Sequence, residues 1–208
     1  MKSTQIPYIT IIICLTTLIY SMGVALAVSG NLMGSVRITQ LEPYGGVTFA
    51  HLENLELWRL LASQLIHVKQ LHMLFNVLSL ALLGFFLERR VHGFMFFLLW
   101  FIAGVAGTLV GTLFVTPPWN LGTGASQAVL GIAAFGLALF LRGAIQSRAF
   151  LIVLCFSLIP AFALDFIYAG YPKPGHVVPL LIGGIAGFVH CRQPSKALQH
   201  APPRAGGV

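Results

Sequence analysis

Gly122-Thr-Gly-Ala-Ser-Gln-Ala-Val-Leu-Gly131 follows a proline-containing loop and opens an apolar run that lasts to Leu141. This stretch puts Ser126 at the start of a predicted helix, behind small residues that let neighbouring backbones approach closely. The first turn of a helix has unpaired N–H groups and the positive end of the dipole, so an anion is stabilised there. Taken alone, the pattern is equally typical of a helix cap or a packing seam. The rest of the chain decides between these roles.

The composition indicates a membrane protein. The chain of 208 residues is 57% hydrophobic and 8% charged, with a mean hydropathy of +0.88. Soluble domains carry about 25% charged residues, so a polytopic membrane protein is predicted. The formal net charge of +7 comes from basic residues in short loops between apolar segments, which is a topology signal and argues against nucleic acid as a partner. The three cysteines form no CxxC pattern, so neither a disulfide framework nor a zinc site is indicated.

Six apolar segments predict six transmembrane helices, at about residues 8–28, 71–87, 94–115, 125–141, 149–169 and 176–189. The first segment is longer than the apolar region of a signal peptide, so a retained helix is favoured over a cleaved one. A long first loop, residues 30–70, is predicted to contain short interfacial helices around Leu57 to Ile66. We therefore expect one membrane domain over residues 1–192, followed by a disordered cytoplasmic tail at 193–208.

The basic residues predict the orientation of these segments. With both termini in the cytoplasm, eight basic residues lie inside and four lie outside: Lys2, Arg89, Arg90, Arg142, Arg148, Arg192, Lys196 and Arg204 against Arg37, Arg59, Lys69 and Lys173. This distribution obeys the positive-inside rule, and the inverted orientation violates it.

Four polar residues then fall at one depth in the outer leaflet. His72 and Asn76 are four residues apart and share one face of the second segment. Ser126 and His176 lie at the outer ends of the fourth and sixth segments. Polar groups inside a membrane are costly and usually line a water-accessible site.

These residue types allow nucleophilic catalysis. A serine hydroxyl becomes a good nucleophile when a base removes its proton, and histidine is the usual base near neutral pH. His176 is the candidate base and Ser126 the candidate nucleophile. The backbone N–H of Ser126, the amide of Asn76 and the ring of His72 are candidate donors to the oxyanion.

The same residues resemble a known family. Trp58-Arg59, His67, His72-Met-Leu-Phe-Asn76 and Glu88-Arg-Arg90, followed by Gly124-Ala-Ser126 and then His176, resemble the motifs of rhomboid intramembrane serine proteases. The resemblance covers about Leu57 to Gly187. It implies an all-α, six-helix rhomboid bundle with a long first loop.

The resemblance also implies an activity and a set of residue roles. It implies a Ser126–His176 dyad, an oxyanion hole that includes His72 and Asn76, and cleavage of single-pass or polytopic membrane proteins near their outer ends, without a cofactor or ATP. Trp58 and Arg59 would fix the first loop, and His67 would support the junction between this loop and the second helix. Gly124 belongs to the GxS motif.

Two positions depart from the family pattern. Gln127 stands where rhomboids commonly have glycine directly after the serine, and Pro179 stands where the last helix often has glycine. Because proline is tolerated in the first turn of a helix, these changes put efficiency and substrate choice in question rather than the dyad.

The remaining polar residues are assigned structural roles. Asp165 could orient His176, but the resemblance implies a dyad, so a hydrogen bond that stabilises the bundle is favoured. Glu88 is interpreted as a cytoplasmic end-anchor. The histidines at 51, 92, 190 and 200 are interpreted as solvated surface residues. The spacing of His51, His67 and His72 does not suit a metal site.

Two other classes of function compete with the protease. One is an inactive rhomboid-like protein that binds membrane clients; such relatives typically lack the serine or the histidine, and this chain keeps both. The other is a small transporter or channel, which would need ionisable residues in the inner halves of the segments, and none is found there. A specialised protease of the rhombosortase kind is left open. A bacterial cytoplasmic membrane is the expected location.

Overall fold

The computed structural model describes residues 6–192, and over this range the chain is helical. The helices are α1 (Tyr8–Ser29), α2 (Phe49–Glu53), α3 (Arg59–Ala62), α4 (Gln70–Leu87), α5 (Gly93–Leu113), α6 (Ser126–Leu141), α7 (Arg148–Ala169) and α8 (Pro174–Arg192), with a 3-10 helix at Ile38–Tyr44. Within residues 6–192, β structure is limited to one isolated bridge between Val47 and Gly122. The predicted tail at 193–208 lies outside the described residues.

Five helices are long and apolar enough to cross a membrane: α1, α4, α5, α7 and α8. The chain is therefore an integral membrane protein. Helix α6 is also apolar but has only 16 residues. Each of the six predicted segments coincides with one of these helices, and the largest difference in bounds is three residues, at the end of α8.

Helix α6 occupies the centre of the bundle. Most of its residues are buried, and it packs mainly against α8 and α5. The contact with α8 is made by backbone on backbone: a Cβ added at Gly183 would overlap the carbonyl oxygen of Gly131, and one added at Gly187 would come within 2.7 Å of the Phe135 oxygen. Because no side chain separates the two helices at these points, the backbone sets their spacing.

Pro179 does not lie where the sequence placed it. Helix α8 begins at Pro174 rather than at His176, so Pro179 falls in the second turn instead of the first. A proline there has no N–H to offer the carbonyl four residues earlier, which belongs to Gly175. That carbonyl packs against Gly107 of α5, where an added Cβ would come within 2.6 Å of it. The proline is thus accommodated at a close contact between α8 and α5.

The segment between α1 and α4 is held by Arg59. Its guanidinium donates to the Glu56 carboxylate at 2.6 Å, to the Gly46 carbonyl at 2.9 Å and to the Glu42 carbonyl, and its side chain is buried. Trp58 is half-exposed, with the Arg59 guanidinium over its ring at 4.7 Å. Of the interfacial helices predicted around Leu57 to Ile66, the structure has only the four-residue α3.

Glu88 caps helix α1 rather than serving as an end-anchor. Its carboxylate accepts the backbone N–H groups of Ile9 at 2.9 Å and Thr10 at 2.7 Å, and the Thr10 hydroxyl at 2.6 Å. These N–H groups belong to the first turn of α1, where nothing within the helix can pair with them. A carboxylate at this end also meets the positive end of the helix dipole. Glu88 therefore joins α1 to the end of α4.

Candidate active site

Ser126 is the first residue of α6 and is placed there by the turn that precedes it. Gly124 has φ +97°, a conformation that costs glycine little, and its N–H donates to the Ser63 carbonyl at 2.7 Å. Ala125 is the N-cap, so the Ser126 N–H is one of the unpaired donors of the first turn. The Ser126 side chain is 8% exposed. The sequence of this turn thus presents a nearly buried hydroxyl beside free backbone donors.

The structure brings Ser126 and His176 together. Ser126 Oγ lies 3.4 Å from His176 Nε2 and 3.2 Å from Gln127 Oε1. The hydroxyl has one proton to donate, so these two acceptors compete for it. Hydrogen bonds at catalytic sites are often long in free enzymes and tighten when substrate is bound, so 3.4 Å is compatible with general-base chemistry. The contact with Gln127 was not foreseen, although its position directly after the serine was the available signal.

Asp165 forms a hydrogen bond between α7 and α8, and its partner in this bond is His176. Asp165 Oδ2 lies 2.8 Å from His176 Nδ1 and accepts the backbone N–H of Lys173 at 3.0 Å. A carboxylate only accepts hydrogen bonds, so Nδ1 carries the proton and Nε2 is free to accept one from Ser126. The three side chains Ser126, His176 and Asp165 are consequently arranged in series.

His67 links the serine turn to α4. Its Nε2 accepts the backbone N–H of Ala125 at 3.1 Å and lies 3.3 Å from Asn76 Nδ2. Burial, with a smaller contribution from the nearby His72 ring, lowers the pKa of His67 to about 3. His67 is therefore neutral near pH 7 and can accept at Nε2. It fixes both the residue before the serine and the Asn76 amide.

The predicted oxyanion donors meet at one cavity. His72, Asn76 and Ser126 all line a cavity of about 450 Å³, together with Gln127, Asp165 and His176. Asn76 is buried and His72, one turn earlier on α4, is exposed. Aromatic and aliphatic walls complete the cavity, including Phe75, Trp119, Leu164 and Tyr168. A cavity of this size, apolar with a few convergent polar groups, is typical of a binding site.

Two of the histidines expected to be solvated surface residues form hydrogen bonds within the protein. His51 Nδ1 lies 3.1 Å from the Thr48 N–H and its Nε2 lies 3.2 Å from Glu42, with the side chain 12% exposed. His92 accepts from the Phe94 N–H at 3.3 Å. His200 lies outside the described residues. Within residues 6–192, no three His, Cys, Asp or Glu side chains are grouped so that they could hold a metal ion.

Comparison with known sequences identifies the family. Residues 54–193, more than half of the chain, match the Rhomboid domain family. The protein belongs to the rhomboid family. The matched region includes Ser126, His176, Asp165 and the residues that hold them, whereas α1 precedes it.

Individual relatives differ in their named activity. "Putative rhomboid protease YdcA" of Bacillus subtilis (strain 168) is 30% identical over 143 residues, 65% of this chain and 68% of that protein. "RHOMBOID-like protein 4" of Arabidopsis thaliana is 31% identical over 134 residues, 64% of this chain and 34% of that protein. "Inactive RHOMBOID-like protein 8" of the same plant is 31% identical over 101 residues, 48% of this chain and 29% of that protein.

This rhomboid spans about a third of the length of those two plant relatives. Because the relatives include one named as a protease and one named as inactive, family membership alone does not assign catalysis. The assignment has to rest on the site itself.

Proposed function

We propose that this protein is an intramembrane serine endopeptidase that cleaves transmembrane substrates near their outer ends. The observation that carries the proposal is the contact of Ser126 Oγ with His176 Nε2 at 3.4 Å, on the wall of a cavity of about 450 Å³. A hydroxyl beside an imidazole acceptor at the start of a helix is the minimum machinery for acyl transfer.

In this mechanism His176 relays one proton in the acylation half of the reaction and a second in the deacylation half. Nε2 takes the proton of Ser126 Oγ as the oxygen attacks the scissile carbonyl carbon, and the carbonyl electrons form an oxyanion. When the C–N bond breaks, Nε2 donates the proton to the leaving amine, and the acyl group remains on Ser126. A water then attacks the acyl carbon while Nε2 takes its proton. The bond between that carbon and Ser126 Oγ breaks as Nε2 donates this proton to Oγ, so the carboxylic acid product leaves and the serine hydroxyl is restored. The chemistry uses serine, imidazole and water, so we propose that it needs neither a cofactor nor ATP.

The oxyanion is proposed to be held by the Ser126 backbone N–H, Asn76 and His72. An asparagine amide has two N–H donors, and the contact with His67 uses one of them. The second donor is then available to a developing oxyanion, and His67 keeps the amide from rotating. Removing one donor of this kind typically costs about 10²–10³ in kcat.

The length of α6 supports a serine recessed below the membrane surface. Its 16 residues rise about 24 Å, less than the roughly 30 Å of bilayer hydrocarbon. We propose six spans, with α6 the shortest, and both termini in the cytoplasm, as the basic residues predict. The mouth of the site then faces the outer surface, from which water enters. A bacterial cytoplasmic membrane is the proposed location.

The proposed substrates are single-pass or polytopic membrane proteins. A substrate helix enters sideways from the lipid and unwinds locally, because a helical peptide bond is shielded by its own hydrogen bonds. The apolar walls of the cavity, with Phe75, Leu164 and Tyr168, suit side chains that come from a membrane. Nucleic acid is not among the proposed partners, since the basic residues are distributed as topology signals.

A second candidate is a rhomboid-like protein that binds membrane clients without cutting them. The observation that favours it is that Gln127 Oε1, at 3.2 Å, lies closer to the serine hydroxyl than His176 does. A hydroxyl held in that way would be a poor nucleophile. One relative is named as an inactive rhomboid-like protein, so the family includes a member named as lacking activity.

The decisive experiment is labelling of purified protein by a fluorescent serine-directed phosphonate. Wild type is compared with Ser126→Ala, His176→Ala and the control Ser79→Ala, which removes a buried α4 hydroxyl that has no hydrogen-bond partner within residues 6–192. The proposal expects labelling of wild type and of Ser79→Ala only, and cleavage of a reconstituted transmembrane substrate by the same two proteins. A folded wild type that neither labels nor cleaves would support the client-binding candidate.

A further inference from the structure

We propose that Asp165 is a positioning residue for catalysis, which makes the site of this rhomboid a Ser126–His176–Asp165 triad in place of the dyad that the resemblance implies. The inference rests on the proposed protease function, since it assigns a role within that site. Asp165 does not touch the reacting atoms. It acts through the imidazole of His176.

The geometry selects Asp165 for this role. Its Oδ2 lies 2.8 Å from His176 Nδ1, a distance typical of a charge-assisted hydrogen bond. The carboxylate comes from α7 and the imidazole from α8, so the bond crosses between helices at the depth of the nucleophile. His176 has Ser126 on its other ring nitrogen. The imidazole is thereby held at both nitrogens.

Asp165 Oδ2 orients the His176 ring and is itself held by the backbone of Lys173. Oδ2 accepts the His176 Nδ1–H and the backbone N–H of Lys173, while Oδ1 lies 3.6 Å from Lys173 Nζ. The turn between α7 and α8 therefore holds the carboxylate in place before any substrate binds. An acceptor fixed at Nδ1 selects the tautomer in which Nε2 can take the serine proton.

The burial of the Asp165 carboxylate argues against a purely structural role. Asp165 is 1% exposed, and its Oδ1 has no hydrogen-bond partner within residues 6–192. A buried carboxylate costs several kcal/mol in desolvation, and a neutral side chain could join α7 to α8 at lower cost. The charge is useful, however, when His176 becomes an imidazolium during the reaction, because the carboxylate stabilises that cation without taking its proton.

The other groups around the imidazole do not duplicate this charge. Asp165 contacts the His176 ring, and the other titratable groups that line the same cavity are Lys173 in the turn, His72 on α4, Tyr168 and Tyr171. Lys173 is half-exposed and positively charged, and His72 is an imidazole like His176, so neither supplies the negative charge that would stabilise an imidazolium. Helices α5 and α6 contribute neutral residues, such as Thr108 and Gln127, to the same cavity. Asp165 is consequently the anion that serves His176 within the described residues.

The test separates orientation from charge with two variants of the full-length protein. In Asp165→Asn, the amide oxygen can replace Oδ2 and keep both hydrogen bonds, so only the charge is lost. In Asp165→Ala, the bonds and the charge are both lost. Ser79→Ala is again the matched buried control. The readouts are the phosphonate labelling rate, kcat and KM for a reconstituted transmembrane substrate across pH, and the thermal unfolding temperature.

The triad predicts a graded result. Asp165→Asn should lower kcat about tenfold or more, because the carboxylate no longer stabilises the imidazolium that forms during the reaction. Asp165→Ala should lose about 10²–10⁴ in kcat. KM should stay within about twofold, since the change acts on the chemical step. Labelling should slow in the same order as kcat.

Other outcomes overturn the inference in recognisable ways. If wild type labels but both Asp165 variants label at its rate and only unfold at lower temperature, Asp165 is a helix-joining residue and the dyad stands. If Asp165→Asn keeps the wild-type kcat, the charge has no role and the triad is refuted. If wild type itself does not label while folded, the protease proposal fails, and that failure is distinct from the first two.

Discussion

Replacing Gln127 with alanine should make Ser126 more reactive. The serine hydroxyl proton is shared between Gln127 Oε1 at 3.2 Å and His176 Nε2 at 3.4 Å, and only the second acceptor leads to chemistry. Truncation to alanine removes the unproductive acceptor. It keeps the Cβ, which packs against Gly107, where an added Cβ would come within 2.8 Å of it. The contact between α6 and α5 is thereby preserved.

The expected gain follows from the strength of one neutral hydrogen bond. Such a bond contributes about 0.5–1.5 kcal/mol net, so freeing the hydroxyl should raise the rate constant for phosphonate labelling roughly two- to tenfold. Gln127→Met tests the same idea, because it keeps the length of the side chain without the amide acceptor. Gln127→Glu should slow labelling, since an anionic acceptor holds the hydroxyl proton more strongly.

The assay is the second-order labelling rate at fixed pH, with the thermal unfolding temperature measured alongside. Labelling that is ten times slower in both Gln127→Ala and Gln127→Met, at unchanged unfolding temperature, would refute the reasoning. It would show that the carboxamide donates to the oxyanion through its N–H₂ group instead of competing for the serine proton. Equal rates in wild type and all three variants would show that the 3.2 Å contact has no influence on reactivity.

Three further predictions concern the packing, the α1 cap and pH. Gly183→Ala should lower the free energy of unfolding by about 1–3 kcal/mol and slow labelling, because its Cβ would overlap the Gly131 carbonyl; thermal unfolding and labelling test this. Glu88→Ala should lower unfolding free energy by about 2–4 kcal/mol, because it leaves two backbone N–H groups and a hydroxyl unpaired; chemical denaturation measures it. His67→Gln should remove a pH dependence of stability. The pKa of His67 is about 3 in the folded protein and about 6.5 in the unfolded chain, so between these values the unfolded chain binds more protons and the free energy of unfolding of wild type falls by about 1.4 kcal/mol per pH unit as the pH decreases. Denaturant unfolding measured from pH 7 to pH 5 tests this.

Each of these predictions has a control variant or a result that would contradict it. An alanine at Gly184 would meet nothing within 4 Å, so Gly184→Ala should behave as wild type; equal effects at both glycines would argue against the backbone contact. Glu88 lies at the opposite end of α4 from His72, so folded Glu88→Ala should label normally, and lost labelling would count against a purely structural cap. A wild-type slope with pH in His67→Gln would place the titration elsewhere.

The helices could be predicted from the sequence because the signals for them are local. Apolar segments of 16–22 residues fix where a helix can cross a membrane, and short basic loops separate them. The face shared by His72 and Asn76 follows from a spacing of four residues. The place of Ser126 at a helix start follows from small residues and a preceding loop. None of these inferences requires knowledge of how two helices are rotated about their axes.

Contacts between helices could not be predicted in this way. Glu88 was interpreted from its neighbours Arg89 and Arg90, whereas its partners lie 78 and 79 residues away at the start of α1. Asp165 was placed at the right depth, but whether its side chain turns to His176 depends on the rotation of α7 and α8. For α8, close packing of Gly183 against Gly131 of α6 constrains this rotation, and a pattern along one helix does not reveal such a contact. The spacing of Thr48 and His51, three residues apart, could have predicted that His51 caps the start of α2.

The close backbone contact between α6 and α8 has a consequence for how this protein can diversify. The two helices carry Ser126 and His176, and their spacing is set by Gly131 and Gly183 rather than by interdigitated side chains. Residues on the opposite walls of the cavity, from Phe75 on α4 to Tyr168 on α7, belong to neither contact. Substitutions there can reshape the cavity wall while Ser126 and His176 keep their separation. Under the proposed protease function, selection for new substrates could therefore act on one side of the cavity without disturbing the reacting groups on the other.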